Sequence, residues 1–152
     1  MISSAKKATR KIEILLIEDN PGDARLTQEV LRESGAACKL TTMRDPEQAL
    51  AQLRGEATNA PRLIPEIIFL DLNLPKVSGL EIIEKIRCTD GLNHVPIVIL
   101  SSTENPDDIR RAYKLGGNCF VRKPTELDQF IHFLTTCYEF WCNVVVLPPV
   151  EQ

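Results

Sequence analysis

Three uninterrupted apolar runs constrain this chain more than any other feature: Ile14-Leu15-Leu16-Ile17, Ile67-Ile68-Phe69-Leu70 and Val95-Pro96-Ile97-Val98-Ile99-Leu100. A strand with one wet face alternates apolar and polar residues, whereas a strand covered on both faces reads as a continuous apolar run. Strands are expected at 12–17, 38–42, 66–70, 95–100 and 118–121, and helix signals fill the gaps. Asn20-Pro21 opens the first helix and Gly35 closes it, while Asp45-Pro46 opens the second. Ser78-Gly-Leu-Glu81 is a capping-box pattern, Asn105-Pro106-Asp107-Asp108 puts Pro and acids in a first turn, and Thr125 is expected to cap the last helix. Strand and helix thus alternate five times. Right-handed crossovers place helices on both faces of a five-stranded parallel sheet, and the order 2-1-3-4-5 puts the first and third strands side by side. The polar, Pro-containing segment 55–65 reads as a loop. The expected division is a polar tail over 1–10, one domain over 11–140 and an apolar extension over 141–152.

The strand ends carry the chemistry. The first run ends in Glu18-Asp19 and the third strand in Asp71, so neighbouring strands bring three carboxylates to the edge where open α/β sheets bind ligands. Like charges this close repel strongly unless a cation or proton separates them. Mg²⁺ suits the set, being small, oxygen-seeking and usually partnered by phosphate. The fourth strand ends in Ser101-Ser102-Thr103 and the fifth in Lys123-Pro124. A hydroxyl and an ammonium beside the acids would hold phosphate oxygens on one carboxylate. A cis Lys123-Pro124 peptide would turn the ammonium inward.

Bulk properties narrow the partners. A net charge of −3 over 152 residues provides no basic field for nucleic acid or an anionic membrane. The polar N-terminal segment lacks a signal peptide's apolar core, and no run approaches the roughly 18 apolar residues of a membrane span, so a cytoplasmic protein is expected. Five cysteines without a C-x-x-C pair read as reduced thiols, with Cys142 the one expected to be exposed.

Glu18-Asp19, Asp71-x-Asn73-x-Pro75-x-x-x-Gly79, Ser101 and Lys123-Pro124, in this order and spacing, resemble the receiver domain of two-component response regulators. The resemblance implies a flavodoxin-like fold and a signalling protein, not an enzyme, that promotes its own phosphotransfer and dephosphorylation. Asp71 would accept a phosphoryl group from a histidine kinase. Glu18, Asp19 and Asp71 would hold Mg²⁺ with the backbone carbonyl of Asn73. Ser101 and Lys123 would bind the phosphate, and Phe120 would be the aromatic switch. No output domain follows the last helix in this sequence, so the expected output is phosphorylation-dependent contact with an unknown downstream protein.

More narrowly, Ile17-Glu-Asp-Asn-Pro-Gly-Asp23, Phe69-Leu-Asp-Leu-Asn-Leu-Pro75, Gly116-Gly-Asn-Cys-Phe-Val-Arg-Lys-Pro124 and the Trp-bearing tail resemble stand-alone regulators paired with phytochromes. That subgroup implies a homodimer and a phytochrome-type, light-sensing kinase. The last helix adds its own reason. Leu127, Phe130, Ile131, Leu134, Tyr138 and Trp141 form one apolar stripe toward the sheet, and Phe133 and Phe140 widen it beyond what a sheet contact needs. Val144-Val-Val-Leu-Pro-Pro-Val150 follows. Either the tail folds back on its own helix, or a partner chain covers Phe133, Phe140, Trp141, Val144 and Val146.

Other classes fit less well. A haloacid-dehalogenase-like phosphatase needs a second acid two positions after the nucleophile, where this chain has Asn73. A flavodoxin needs a phosphate-binding loop after strand one, where this chain has acids. A pseudo-receiver acting without phosphorylation usually lacks part of the acidic set, which here is intact.

Overall fold

The computed structural model describes residues 11–149. The expected tail over 1–10 and the last three residues of the apolar extension lie outside them. The order is β1 (Ile12–Ile17), α1 (Pro21–Glu33), β2 (Cys38–Met43), α2 (Pro46–Leu53), β3 (Ile67–Asp71), α3 (Gly79–Arg87), β4 (Ile97–Ser101), α4 (Pro106–Lys114), β5 (Cys119–Arg122) and α5 (Leu127–Glu139), which runs into a π-helical turn, Phe140–Val144. All strand pairings are parallel and the order is β2-β1-β3-β4-β5, as the sequence predicts. The three continuous runs are the central strands, and every residue of β3 and β4 is buried.

Side-chain alternation divides the core. Leu15, Ile17, Ile68, Leu70, Ile97 and Ile99 pack under α2 and α3 with Ala112 of α4, whereas Ile14, Leu16, Ile67, Phe69, Val98 and Leu100 pack under α1 and α5. Each of these side chains other than Ala112 contributes about 1.5–3 kcal/mol of burial free energy, so the sheet's two-sided cover is the main source of stability.

The helix starts follow the sequence signals with one correction. Asn20, Asp45, Ser78 and Asn105 are N-caps whose side chains accept amide hydrogens of the first turn. Thr125 does not cap α5. Glu126 occupies the N-cap without a side-chain bond, and Thr125, one residue upstream, is off the position that faces the orphan amides. Gly35 takes φ +67 just past α1, the left-handed conformation that glycine adopts without steric cost. Gly79 is required for a different reason: a Cβ there would lie 2.6 Å from Leu72 Cα, so only glycine lets α3 start against the loop that follows Asp71.

At the far end of α5, Phe130, Leu134 and Tyr138 are buried, and Ile131, Phe133, Trp141, Cys142 and Leu147 pack partly against the same core. Phe140, Val144 and Val146 stay exposed. Leu127, assigned to the sheet-facing stripe, is 63% exposed. As the first residue of α5 it lies beyond the strand ends and has no sheet beneath it. All five thiols are free, and the exposed one is Cys88, not Cys142, which is half-buried.

Candidate functional site

Register and alternation assemble the site. Ile17 of β1 pairs with Leu70 of β3, so the next residues along, Glu18 and Asp71, sit side by side at the carboxyl edge. Both continue the rows that face α1 and α5, as does Lys123, two residues past Val121 on β5. The Lys123 ammonium consequently reaches across β4 and binds both acids, at 2.6 Å to Glu18 Oε2 and 3.0 Å to Asp71 Oδ2. It does so with a trans peptide before Pro124, since no peptide among the described residues is cis; the strand's alternation alone turns the side chain inward.

Each carboxylate has a second partner. Asp71 Oδ1 accepts the Asn73 N–H at 2.9 Å, and Glu18 Oε1 accepts the Asn20 N–H at 3.1 Å. Glu18 is 1% and Asp71 6% exposed. A third acid joins them, for Asp23 in the first turn of α1 lies 3.3 Å from Lys123 Nζ. This contact was not anticipated from the sequence. The available signal was positional: proline-started α1 leaves the same edge as Glu18, and Asp23 is its first acidic residue.

The electrostatics follow from one ammonium shared by three carboxylates. Burial, foremost, pushes the Glu18 carboxyl up to about 7; the Lys123 hydrogen bond opposes this, and the neighbouring Asp71 adds to it. For Lys123, burial pulls the ammonium down, but the Glu18 hydrogen bond and the charges of Asp71 and Glu18 outweigh it and hold the group above its ordinary value. Both groups are held above their ordinary values, and the two shifts have one setting. The ammonium has more counter-charge than it needs and the acids have less.

A cleft of about 490 Å³ opens over this group, lined by Glu18, Asp19, Asp23, Asp71, Asn73 and Lys123 on its polar side and by Leu26, Leu127 and Phe130 on its apolar side. Its polar donors are oxygens, and Lys123 already marks a point where buried carboxylates demand positive charge, so the chemistry fits a hard divalent cation. Among the described residues no three His, Cys, Asp or Glu side chains form a closed ligand set.

The other expected residues stand apart from the ammonium. Asp19 lines the cleft. Ser101 lies beyond Leu100, the partner of Asp71, and turns to the α2–α3 face, its buried hydroxyl accepting the Thr103 N–H at 3.1 Å. Its neighbour Ser102 lines the cleft and accepts a hydrogen bond from the Asn73 amide at 3.2 Å. Phe120 is half-buried on the face Ser101 shares, and its N–H donates to the Tyr113 hydroxyl at 3.1 Å. Neither His94 nor His132 lines the cleft. No helix of the described residues is long and apolar enough to cross a membrane.

Known proteins resemble this chain in sequence and in fold. The family model of the response regulator receiver domain matches residues 14–135. The chain is 39% identical over 137 residues to the response regulator Rcp1 of Synechocystis sp., covering 89% of this chain and 92% of that protein. The phosphorylated cyanobacterial phytochrome response regulator RcpA has a solved structure that superposes with a TM-score of 0.84 at 40% identity, covering 91% of this chain and 99% of that one. The Mn(2+)-bound form of Rcp1 superposes with a TM-score of 0.83 at 37% identity, with the same coverage.

Proposed function

The chain belongs to the response regulator receiver family, and on that premise we propose that Asp71 is its phosphoacceptor, charged by a histidine kinase of the phytochrome type. The observation that carries this is the pair of bonds on Asp71: one oxygen is held by the Asn73 amide and the other by Lys123, which leaves the carboxylate oriented at the floor of an open cleft.

In the transfer, an Asp71 oxygen attacks phosphorus and the P–N bond breaks. The bonding pair returns to the imidazole, and the product is an acyl phosphate. Lys123 leaves its carboxylates to bind a phosphoryl oxygen, and the Asn73 amide keeps Asp71 in line, so this chain's contribution is positioning and charge. The proposed Mg²⁺ site comprises Glu18, Asp19, Asp71 and the Asn73 carbonyl; the ion supplies neutralisation of the phosphoryl oxygens. Hydrolysis of the acyl phosphate at the same site resets the protein.

Ser101 then turns from Thr103 toward the phosphate, and Phe120, on the same face, moves into the space it vacates, shifting β4, β5 and their helices between two states. The receiver spans 11–140, works in the cytoplasm without nucleic acid or membrane, and signals by protein contact. The apolar extension over 141–152 serves homodimerisation.

Intact-protein mass spectrometry after acetyl phosphate and Mg²⁺ tests the central assignment. Wild type gains one phosphoryl group, and Asp71→Asn gains none while melting at the same temperature or higher, because one charge leaves a crowded acidic cluster. Normal acceptance by Asp71→Asn sinks the assignment.

A further inference from the structure

The phosphoacceptor reading gives Asp23 no role, although it is one of three acids on the Lys123 ammonium. Its place is built in. Asn20 Oδ1 accepts the Asp23 N–H at 3.1 Å, and the Thr27 hydroxyl donates to the Asp23 carbonyl at 2.8 Å, fixing the residue at the start of α1. Of the three acids it is the wettest, with a side chain 33% exposed against 2% for Glu18 and 8% for Asp71. Its contact is also the longest, so it is the one the ammonium releases at least cost.

The lining of the cleft adds a second observation. It carries the carboxylates of Glu18, Asp19, Asp23 and Asp71 against the single ammonium of Lys123. A charge at the mouth of a cleft acts on whatever enters, in proportion to the entrant's own charge.

We propose that Asp23 is a positioning and specificity residue for phosphotransfer: it holds Lys123 over the cleft and selects against donors that bring two negative charges. The favoured donor is a phosphoryl group carried on a protonated nitrogen, as on a protein phosphohistidine whose ring is an imidazolium, over a small dianionic acyl phosphate. This rests on Asp71 being the phosphoacceptor.

Two small donors isolate the charge effect. With acetyl phosphate, the Asp71 oxygen–phosphorus bond forms, the bridging P–O bond breaks and acetate leaves with the electron pair. With phosphoramidate, the P–N bond breaks and ammonia leaves with the pair and the three hydrogens it already holds in the zwitterion. The first donor carries about two negative charges at neutral pH and the second about one.

The test measures phosphorylation rates of the full chain with each donor in Mg²⁺, for wild type, Asp23→Asn and Asp23→Glu, by intact-protein mass spectrometry. Asp23→Asn is expected to raise the acetyl phosphate rate about three- to fivefold more than the phosphoramidate rate, a gap that added salt narrows. Asp23→Glu keeps the charge and should keep the wild-type donor ratio. A merely structural role would move both donors alike. Equal changes with both donors, or none, overturn the assignment of Asp23 alone. A wild type that accepts from neither donor overturns the phosphoacceptor reading and this assignment with it.

Discussion

Glu18 and Tyr138 show how burial sets the behaviour of single residues. The folded Glu18 carboxyl binds its proton more tightly than the unfolded one, about 7 against 4.5. Its contribution to stability is therefore fully present below pH 4.5 and lost as the pH rises to 7. In chelator, wild type should lose on the order of 1–3 kcal/mol relative to Glu18→Gln over that window. Urea unfolding at a series of pH values measures it; a flat difference would show that burial does not govern this acid. Tyr138 poses the opposite problem. Its ring stacks on Phe69 with centroids 4.3 Å apart, yet its hydroxyl is the one buried side-chain polar atom among the described residues without a partner. Tyr138→Phe keeps the stack and removes the orphan group, so the urea midpoint should rise by the equivalent of about 1 kcal/mol with an unchanged slope. A fall would mean that water satisfies the hydroxyl in solution.

At the scale of elements, a single side chain at the end of α3 fastens two strand entrances. Arg87 donates from Nη1 to the carbonyls of Leu92, Asn93 and Val95 ahead of β4, and from Nε and Nη2 to the Gly116 carbonyl ahead of β5. Its Nη2 also reaches Asn118 Oδ1, which accepts the Ile97 N–H that starts β4. Arg87→Met fills similar space and strands these carbonyls, so it should cost about 2–4 kcal/mol in chemical denaturation. Phosphoryl acceptance by the folded fraction should persist, because the site lies at the opposite edge of the sheet. A loss under about 1 kcal/mol, the value of one ordinary hydrogen bond, would mean that the loops satisfy themselves.

For the whole molecule, the apolar tail does two things. Trp141 and Leu147 pack partly on the chain's own core, while Phe140, Val144 and Val146 are left in solvent, Val146 at 93% exposure. The exposed three, continuous with the flank of α5, are the surface that the proposed homodimer would use. Light scattering at about tens of micromolar should give a dimer for wild type and a monomer for Phe140→Glu with Val144→Glu, with little change in melting temperature since neither side chain is buried. A monomeric wild type sinks the dimer; a dimer indifferent to both changes moves the interface elsewhere.

The sequence by itself determined the sheet, its order, the helix starts at Asn20, Asp45, Ser78 and Asn105, and the edge at which Glu18, Asp71 and Lys123 meet. These follow from local rules: apolar runs, caps and the two-residue period of a strand. What only the tertiary structure decided depends on contacts between segments distant in sequence. Lys123 takes up Asp23 as well as the expected acids because α1 and β5 converge over the cleft. Ser101 faces away from Asp71 because the strand pairing sets Asp71 against Leu100. Leu127 overhangs the cleft because α5 begins past the strand ends. Periodicity assigns a side chain to a face, but register and helix placement decide what that face meets.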